Sequence, residues 1–261
     1  MLTEDTRYKE NITLIVNSKD RLSESNSSTD FKILLQEPIN NVKKICLLGV
    51  YIPNMCYNIR SNVNDKLTFF ENGSVNNISA VLNPGIYSID DLATHIETQM
   101  TAISLSSGQH WNYTCVYSDI TLKITISAGG VNTFALKFGS SYSRQCWKIL
   151  GYNQEDYAAA TSQISTNVIA ANYPSIINIR INEFLTKIYN TGANQQKYTF
   201  SLFCDGLSGY YIQYNNNSNF NLVQFNEPQK NITTLTIQLR DDDDLILNNN
   251  NSDWHMILRL E

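Results

Sequence analysis

Val42-Lys43-Lys44-Ile45-Cys46-Leu47-Leu48-Gly49-Val50-Tyr51-Ile52 is a long strand whose apolar run is partly continuous. Such a run belongs to a strand buried on both faces, here around Leu47 and Leu48. Asn40-Asn41 before it is a turn signal, and Pro53-Asn54 ends it. Upstream, Asn11-Ile12-Thr13-Leu14-Ile15-Val16-Asn17 is short, β-branched and bounded by polar residues, which makes it a strand. A Ser/Asn-rich loop over 18–30 follows. Phe31-Lys32-Ile33-Leu34-Leu35 is the next strand, and Pro38 is expected to stop it because proline cannot donate to a ladder. Residues 1–10 are polar and aperiodic and read as a flexible arm.

Downstream, Lys66–Phe70 and a run near Ile78–Leu82 read as strands, with Asn72-Gly73 as the hairpin signal. Asn83-Pro84-Gly85 is a turn. Residues 88–103 form the clear helix: Ser88 with Asp91 is close to a capping box. Ile89, Leu92, Ala93, Ile96, Met100 and Ile103 recur at helical spacing on one face. That stripe is core packing. Strands resume at Trp111–Tyr117, Leu122–Ser127 and Thr133–Phe138. Residues 143–150 read as a short helix capped by Gly151. Residues 153–172, rich in Ala, Ser, Thr and Gln, read as a linker or extended crossing segment. After Tyr173-Pro174 the chain is β again. Ile177, Ile179 and Ile181 alternate with Asn178, Arg180 and Asn182, and further strands are expected at Tyr198–Phe203, Tyr210–Tyr214, Phe220–Phe225, Ile232–Leu239 and Trp254–Leu260.

Many closely spaced strands with turn signals and one real helix indicate a mainly β chain built as a β-sandwich. The expected organisation is discontinuous. A flexible arm (1–10) precedes a sandwich from 11–61 and 165–261, which brackets a small inserted α+β domain at 64–160. Phe69, Phe70, Leu82, Ile96, Leu122, Phe134 and Phe138 supply that middle segment with apolar residues of its own.

Composition narrows the function. Hydrophobic residues are 42% of the chain, enough for a sizeable core, while charged residues are only 16%. Asn, Ser, Thr and Tyr supply the polar surface, which hydrogen-bonds well and repels neighbouring copies weakly. AT-rich coding would enrich some of the same residues. The net charge of −5 argues against strong nucleic-acid binding, which draws on Lys and Arg neutralising phosphates. Lys43-Lys44, the only adjacent basic pair, is read as part of a strand edge. The five cysteines (Cys46, Cys56, Cys115, Cys146, Cys204) are odd in number and lack C-x-x-C spacing, as in a reducing compartment with thiols packed as small hydrophobes. No signal peptide opens the sequence, and no apolar run reaches the length of a membrane span. Sequons such as Asn11-Ile12-Thr13 follow from the abundance of Asn.

No motif for nucleophilic catalysis, nucleotide binding or zinc appears, and no cofactor or enzymatic activity is expected. His95, His110 and His255 lie far apart and lack metal spacing. Asp241-Asp242-Asp243-Asp244 offers hard oxygen ligands for Ca²⁺, but without the alternation and central glycine of an EF-hand. The favoured reading is an exposed turn whose repulsion water screens. Glu97 with Asp119, and Glu155 with Asp156, read as surface charges. Tyr142, Trp147, Tyr152 and Tyr157 cluster in sequence. They are read either as a carbohydrate or partner surface or, preferably, as local packing.

An ordered series of stretches carries a resemblance. It runs from Asn17-Ser18-Lys19-Asp20-Arg21 through Pro38-Ile39-Asn40-Asn41-Val42-Lys43-Lys44-Ile45 and Ile52-Pro53-Asn54-Met55-Cys56-Tyr57-Asn58-Ile59. It continues with Leu82-Asn83-Pro84-Gly85-Ile86-Tyr87-Ser88 and Ile149-Leu150-Gly151-Tyr152, and ends at Leu235-Thr236-Ile237-Gln238-Leu239-Arg240-Asp241 with Asp253-Trp254. The series resembles the penton or minor capsid proteins of virophages and related large DNA viruses whose major capsid proteins are double jelly rolls. The resemblance implies a jelly roll that forms homopentamers at icosahedral vertices. It also implies contact with the major capsid protein and with other minor capsid proteins, and an outward insertion. The aspartate run is longer than that family leads one to expect. A cement protein between capsomers, or a receptor- or glycan-binding head, is the alternative role.

Overall fold

β17 (His255–Leu260), the last strand of the chain, lies between β1 (Ile12–Asn17) and β3 (Val42–Pro53) and pairs antiparallel with both. The computed structural model describes residues 11–25, 27–170, 173–185, 188–189, 197–204, 209–215 and 221–261. The arm at 1–10 and the expected strand start at Phe220 lie outside these residues. The remaining elements are β2 (Asp30–Ile39), β4 (Lys66–Glu71), β5 (Ile78–Val81), α1 (Ile89–Ser107), β6 (Tyr113–Ser118), β7 (Lys123–Ala128), β8 (Phe134–Leu136), α2 (Trp147–Leu150) and β9 (Ser162–Ile164). They continue with β10 (Ile176–Ile181), β11 (Ile188–Tyr189), β12 (Lys197–Tyr198), β13 (Phe200–Phe203), β14 (Tyr211–Asn215), β15 (Leu222–Gln229) and β16 (Ile232–Arg240).

Contacts divide the chain into two compact units. One runs to Cys56 and resumes over Pro174–Glu261, and the other is Tyr57–Tyr173. Residues 57–61 and 165–173, read from the sequence as sandwich, fall in the second unit.

The first unit has two main sheets, ordered β1-β17-β3-β14 and β13-β10-β16-β2, and a small ribbon β11-β12, with every pair antiparallel. β14 pairs with residues 49–53 of β3, and β15 pairs with the other half of that strand. β14 and β15 are therefore two halves of one interrupted strand. Counted that way, the strands in chain order form sheets 1-8-3-6 and 5-4-7-2, the order of a jelly roll. The inward rows are apolar and buried: Ile45, Leu47, Val50, Ile52, Met256, Leu258 and Leu260 in one sheet, and Ile177, Ile179, Ile181, Leu235, Ile237 and Leu239 in the other. Phe31 of β2 meets Trp254 edge-on at 5.8 Å, and the Trp254 indole donates to the Ser28 carbonyl at 2.6 Å.

Two expectations about this unit are corrected. Leu48 is only half-buried. Ile257 pairs with Gly49 and Leu258 with Leu47, so Leu48 is the extra residue of a β-bulge and leaves the inward row. Pro38 does not stop β2, which runs on to Ile39. β2 is the last strand of its sheet, and its register against β16 jumps between Leu34 and Ile39. A proline on an edge at an irregularity forfeits no ladder bond.

The second unit packs α1 with the sheets β5-β4-β8 and β6-β7-β9. Ser88 caps α1 by accepting the Asp91 N–H at 3.1 Å. The helix runs a turn past the expected end at Ile103 because Ser104 is buried and its hydroxyl accepts the Trp111 N–H at 2.9 Å. Gly108, at φ 88°, then closes it. Gly151 caps α2 at φ 78°, and a Cβ there would collide with the Asn167 and Val168 carbonyl oxygens. Of the two readings of 153–172, the described residues 153–170 follow the extended one and not the linker: β9 extends the sheet of β7, and buried Gln163 donates to the carbonyls of Phe134 and Ala158 at 3.0 and 2.7 Å. The composition is polar because these residues satisfy backbone groups. Arg144 donates to buried Asp65 at 2.8 Å. Burial pushes the Asp65 carboxyl up, but the Arg144 guanidinium and the Asn62 N–H outweigh it and hold the group below its ordinary value.

Ile96 is fully buried in the core formed by α1 and both small sheets. Ile96→Ala is expected to lower stability by about 2–5 kcal/mol, as a core truncation that leaves a cavity. Equilibrium denaturation in urea measures it.

Candidate functional site

Of the four aspartates only Asp243 is exposed as in the expected turn, and Asp242 is half-buried. Asp241 is fully buried and Asp244 nearly so. Asp241 Oδ1 accepts the backbone N–H groups of Asp243 and Leu245 at 3.0 and 2.8 Å. The Asp242 carboxylate accepts those of Ser175 and Ile176, at the start of β10. Asp244 Oδ1 accepts the Tyr198 hydroxyl at 2.6 Å, and Arg240 donates to the Asp244 carbonyl at 2.6 Å. The carboxylates face different partners, so the run ties β16, β10 and β12 together. Among the described residues, no group of three or more His, Cys, Asp or Glu is placed to hold a metal ion. The correction has a clear cause. Carboxylates can enter a protein interior when backbone amides saturate their oxygens.

The aromatic cluster divides. Tyr152 is 1% exposed, so the surface reading fails for it; its hydroxyl donates to the Gln163 carbonyl at 2.9 Å. Burial holds that hydroxyl protonated, with its pKa raised. Tyr157 stands edge-on to Tyr152 at 5.3 Å and to Phe138 at 6.4 Å, and Trp147 packs half-buried on the same core. Tyr142 is half-buried, and its hydroxyl accepts the Asn77 side chain at 2.8 Å.

The other titratable candidates do not converge. Glu97 accepts the Cys115 N–H at 3.2 Å, while Asp119 is exposed in the β6–β7 turn. Asp156 accepts the Gly139 N–H at 2.9 Å and pairs with Lys137 at 3.5 Å, leaving Glu155 exposed. None of the five cysteines forms a disulfide, and four are buried. Burial pushes the Cys146 thiol up to about 12 and raises Cys115 further. Both are therefore thiols with little nucleophilic character.

Sequence reasoning missed an aromatic stack on the outer face of the first sheet. Tyr51 stacks on Tyr211 at 4.5 Å and on His255 at 5.1 Å. His255 lies opposite Tyr51 in the ladder, and Gln213 lies opposite it on the other side. Alternation alone marks each residue as outward. The strand order that joins them spans more than 200 residues of chain, so no local signal reveals the stack.

These surfaces belong to a jelly roll with a second unit inserted between its third and fourth strands. That architecture is similar to a solved viral penton protein. The crystal structure of selenomethionine-labelled mavirus penton protein matches 97% of this chain and 99% of its own, at a TM-score of 0.51 and 10% sequence identity. At that identity the likeness to the mavirus protein is one of fold. No protein-family model matches the sequence, and no curated protein matches it. Among the described residues, no helix is long and apolar enough to cross a membrane.

His95 generates one prediction. Its Nε2 accepts the Asn83 N–H at 3.0 Å, and its ring stacks on Tyr87, whose hydroxyl donates to the Asn83 carbonyl at 2.9 Å. Burial lowers its pKa. The folded state thus favours neutral imidazole. Its contribution is complete above about pH 6.5 and is lost as pH falls from there through the lowered folded value. His95→Gln is expected to flatten the loss of stability between pH 7.5 and 5, measured by urea denaturation at each pH. Separately, Asp241→Ala would leave two N–H groups unpaired, at a cost of about 1–3 kcal/mol. The same denaturation assay reads it.

Proposed function

We propose that this chain is a structural, non-enzymatic subunit of a viral capsid in the jelly-roll lineage. More narrowly, it is a penton-type subunit whose five copies close a ring at an icosahedral vertex and meet the surrounding major capsid capsomers. The observation that carries this reading is the jelly-roll strand order with its insertion, alike from end to end with the mavirus penton protein.

The surface chemistry supports the role. A closed five-fold ring is built from heterologous contacts whose rotation closes. With only 16% charged residues, copies meet with little like-charge repulsion, and amide and hydroxyl side chains suit wet, reversible interfaces. Mostly buried cysteines without disulfides fit assembly in the reducing interior of a host cell before incorporation at the capsid vertex. Tyr142, Trp147 and Tyr157 keep part of their surface exposed and are the aromatic residues of the second unit offered to a partner.

Native mass spectrometry of the purified chain tests the proposal. The expected species has five times the 29.7 kDa mass of one chain. A trimer or hexamer as the sole assembly would sink the vertex role.

A further inference from the structure

Five strand segments, β1, β14, β15, β13 and β2, form the edges of the two main sheets of the first unit, and they differ in how they are finished. In the sheet β13-β10-β16-β2, β2 carries Lys32, Glu37, Pro38 and a register jump, so that only the four-residue opposite edge β13 is uncharged and unshifted. Charge, proline, irregularity and shortness are the devices that keep an edge from pairing. In the sheet β1-β17-β3-β14, β15 is finished in the same way by Glu227, Pro228 and its own register shift.

β1 and β14, at the two ends of one sheet, carry no charge, no proline and no irregularity. Ile12-Thr13-Leu14-Ile15-Val16-Asn17 and Tyr211-Ile212-Gln213-Tyr214-Asn215 contain no charge and no proline. Each pairs on one side without a shift, and no described residue pairs with its other side. Ile15 is 68% exposed on the outward row, and Leu14 and Tyr214 on the inward rows are only half-covered.

We infer that β1 of one copy adds to β14 of the next, so that this sheet runs on from subunit to subunit. The directions suit this. All three pairs in β1-β17-β3-β14 are antiparallel, so β1 and β14 point opposite ways. A copy stepped sideways without being turned over therefore sets its β1 antiparallel to its neighbour's β14. Such a junction is heterologous: it uses two different edges and generates a ring when the rotation closes. Outward Thr13, Ile15 and Asn17 would continue the row of Tyr211, Gln213 and Asn215, and Leu14 and Tyr214 would lose their remaining exposure. The inference rests on the self-assembling role proposed above and names the junction that role would use.

Two exposed substitutions test it, Ile15→Lys on β1 and Gln213→Lys on β14, each placing a charge on one free edge of the full-length chain. Analytical ultracentrifugation is expected to find wild type assembled and each variant monomeric. An equimolar mixture should form a dimer, because one variant keeps an intact β14 and the other an intact β1. Thermal melting checks folding, and Thr13→Lys replaces Ile15→Lys if that copy shows no transition. If Gln213→Lys assembles like wild type while Ile15→Lys does not, β1 pairs with another β1 and the inference fails. If both variants assemble normally, the edge junction is overturned and the ring proposal stands. A wild-type chain that stays monomeric overturns both.

Discussion

The sandwich depends on the seating of β17 between β1 and β3. Six residues at the C-terminal end of the sequence complete the ladders of two strands from its beginning, with Ile12 opposite Leu260 and Tyr51 opposite His255. Until β17 is in place, β1 has no ladder partner among the described residues, and the inward faces of β1 and β3 are not parts of one surface. The approach to β17 is correspondingly well fastened. Trp254 donates its indole N–H to Ser28, its backbone N–H is accepted by the Ser18 hydroxyl at 2.9 Å, and Arg21 pairs with Asp253 at 2.6 Å. Each contact joins residues more than 200 positions apart. Contacts so remote are entropically costly to close and make folding slow relative to helical chains of this size. They also make formation of the first sheet strongly cooperative.

This topology explains why an insertion is tolerated where it occurs. The second unit leaves the chain after β3 and returns before β10, strands that belong to different sheets. No ladder bond has to cross that connection, and the inserted residues bring their own buried set around Ile96, Phe134 and Leu150. A segment with its own core adds chain length without removing a buried residue from either sandwich sheet.

The readable parts of the sequence were those in which side-chain period and backbone chemistry agree. Ile177, Ile179 and Ile181 of β10 recur at every second position and are buried. The Ser88 cap and Gly151 close helices where a cap and a left-handed glycine require them. Reading failed where a tertiary partner changes what a local residue means. Pro38 signals a stop only in a strand with neighbours on both sides, and β2 has one. Leu48 sits in an unbroken apolar run, yet the bulge that turns it outward is defined by β17. The four aspartates look like a solvated loop until Ser175, Ile176 and Tyr198 supply donors from far along the chain. The same limit hid the aromatic stack of Tyr211, Tyr51 and His255, because its members become neighbours only through strand order.

Low charge has one physical consequence that links fold to function. A surface poor in Lys and Glu gives up the commonest defence against sheet-edge pairing, so each edge must be blunted by another device or left free to join. This chain does both within one unit. Proline and irregularity blunt β2 and β15, whereas β1 and β14 keep regular, uncharged edges at opposite ends of a single sheet. Together β1 and β14 give that sheet two joinable ends of opposite strand direction, the arrangement that repeated head-to-tail contact between identical subunits requires.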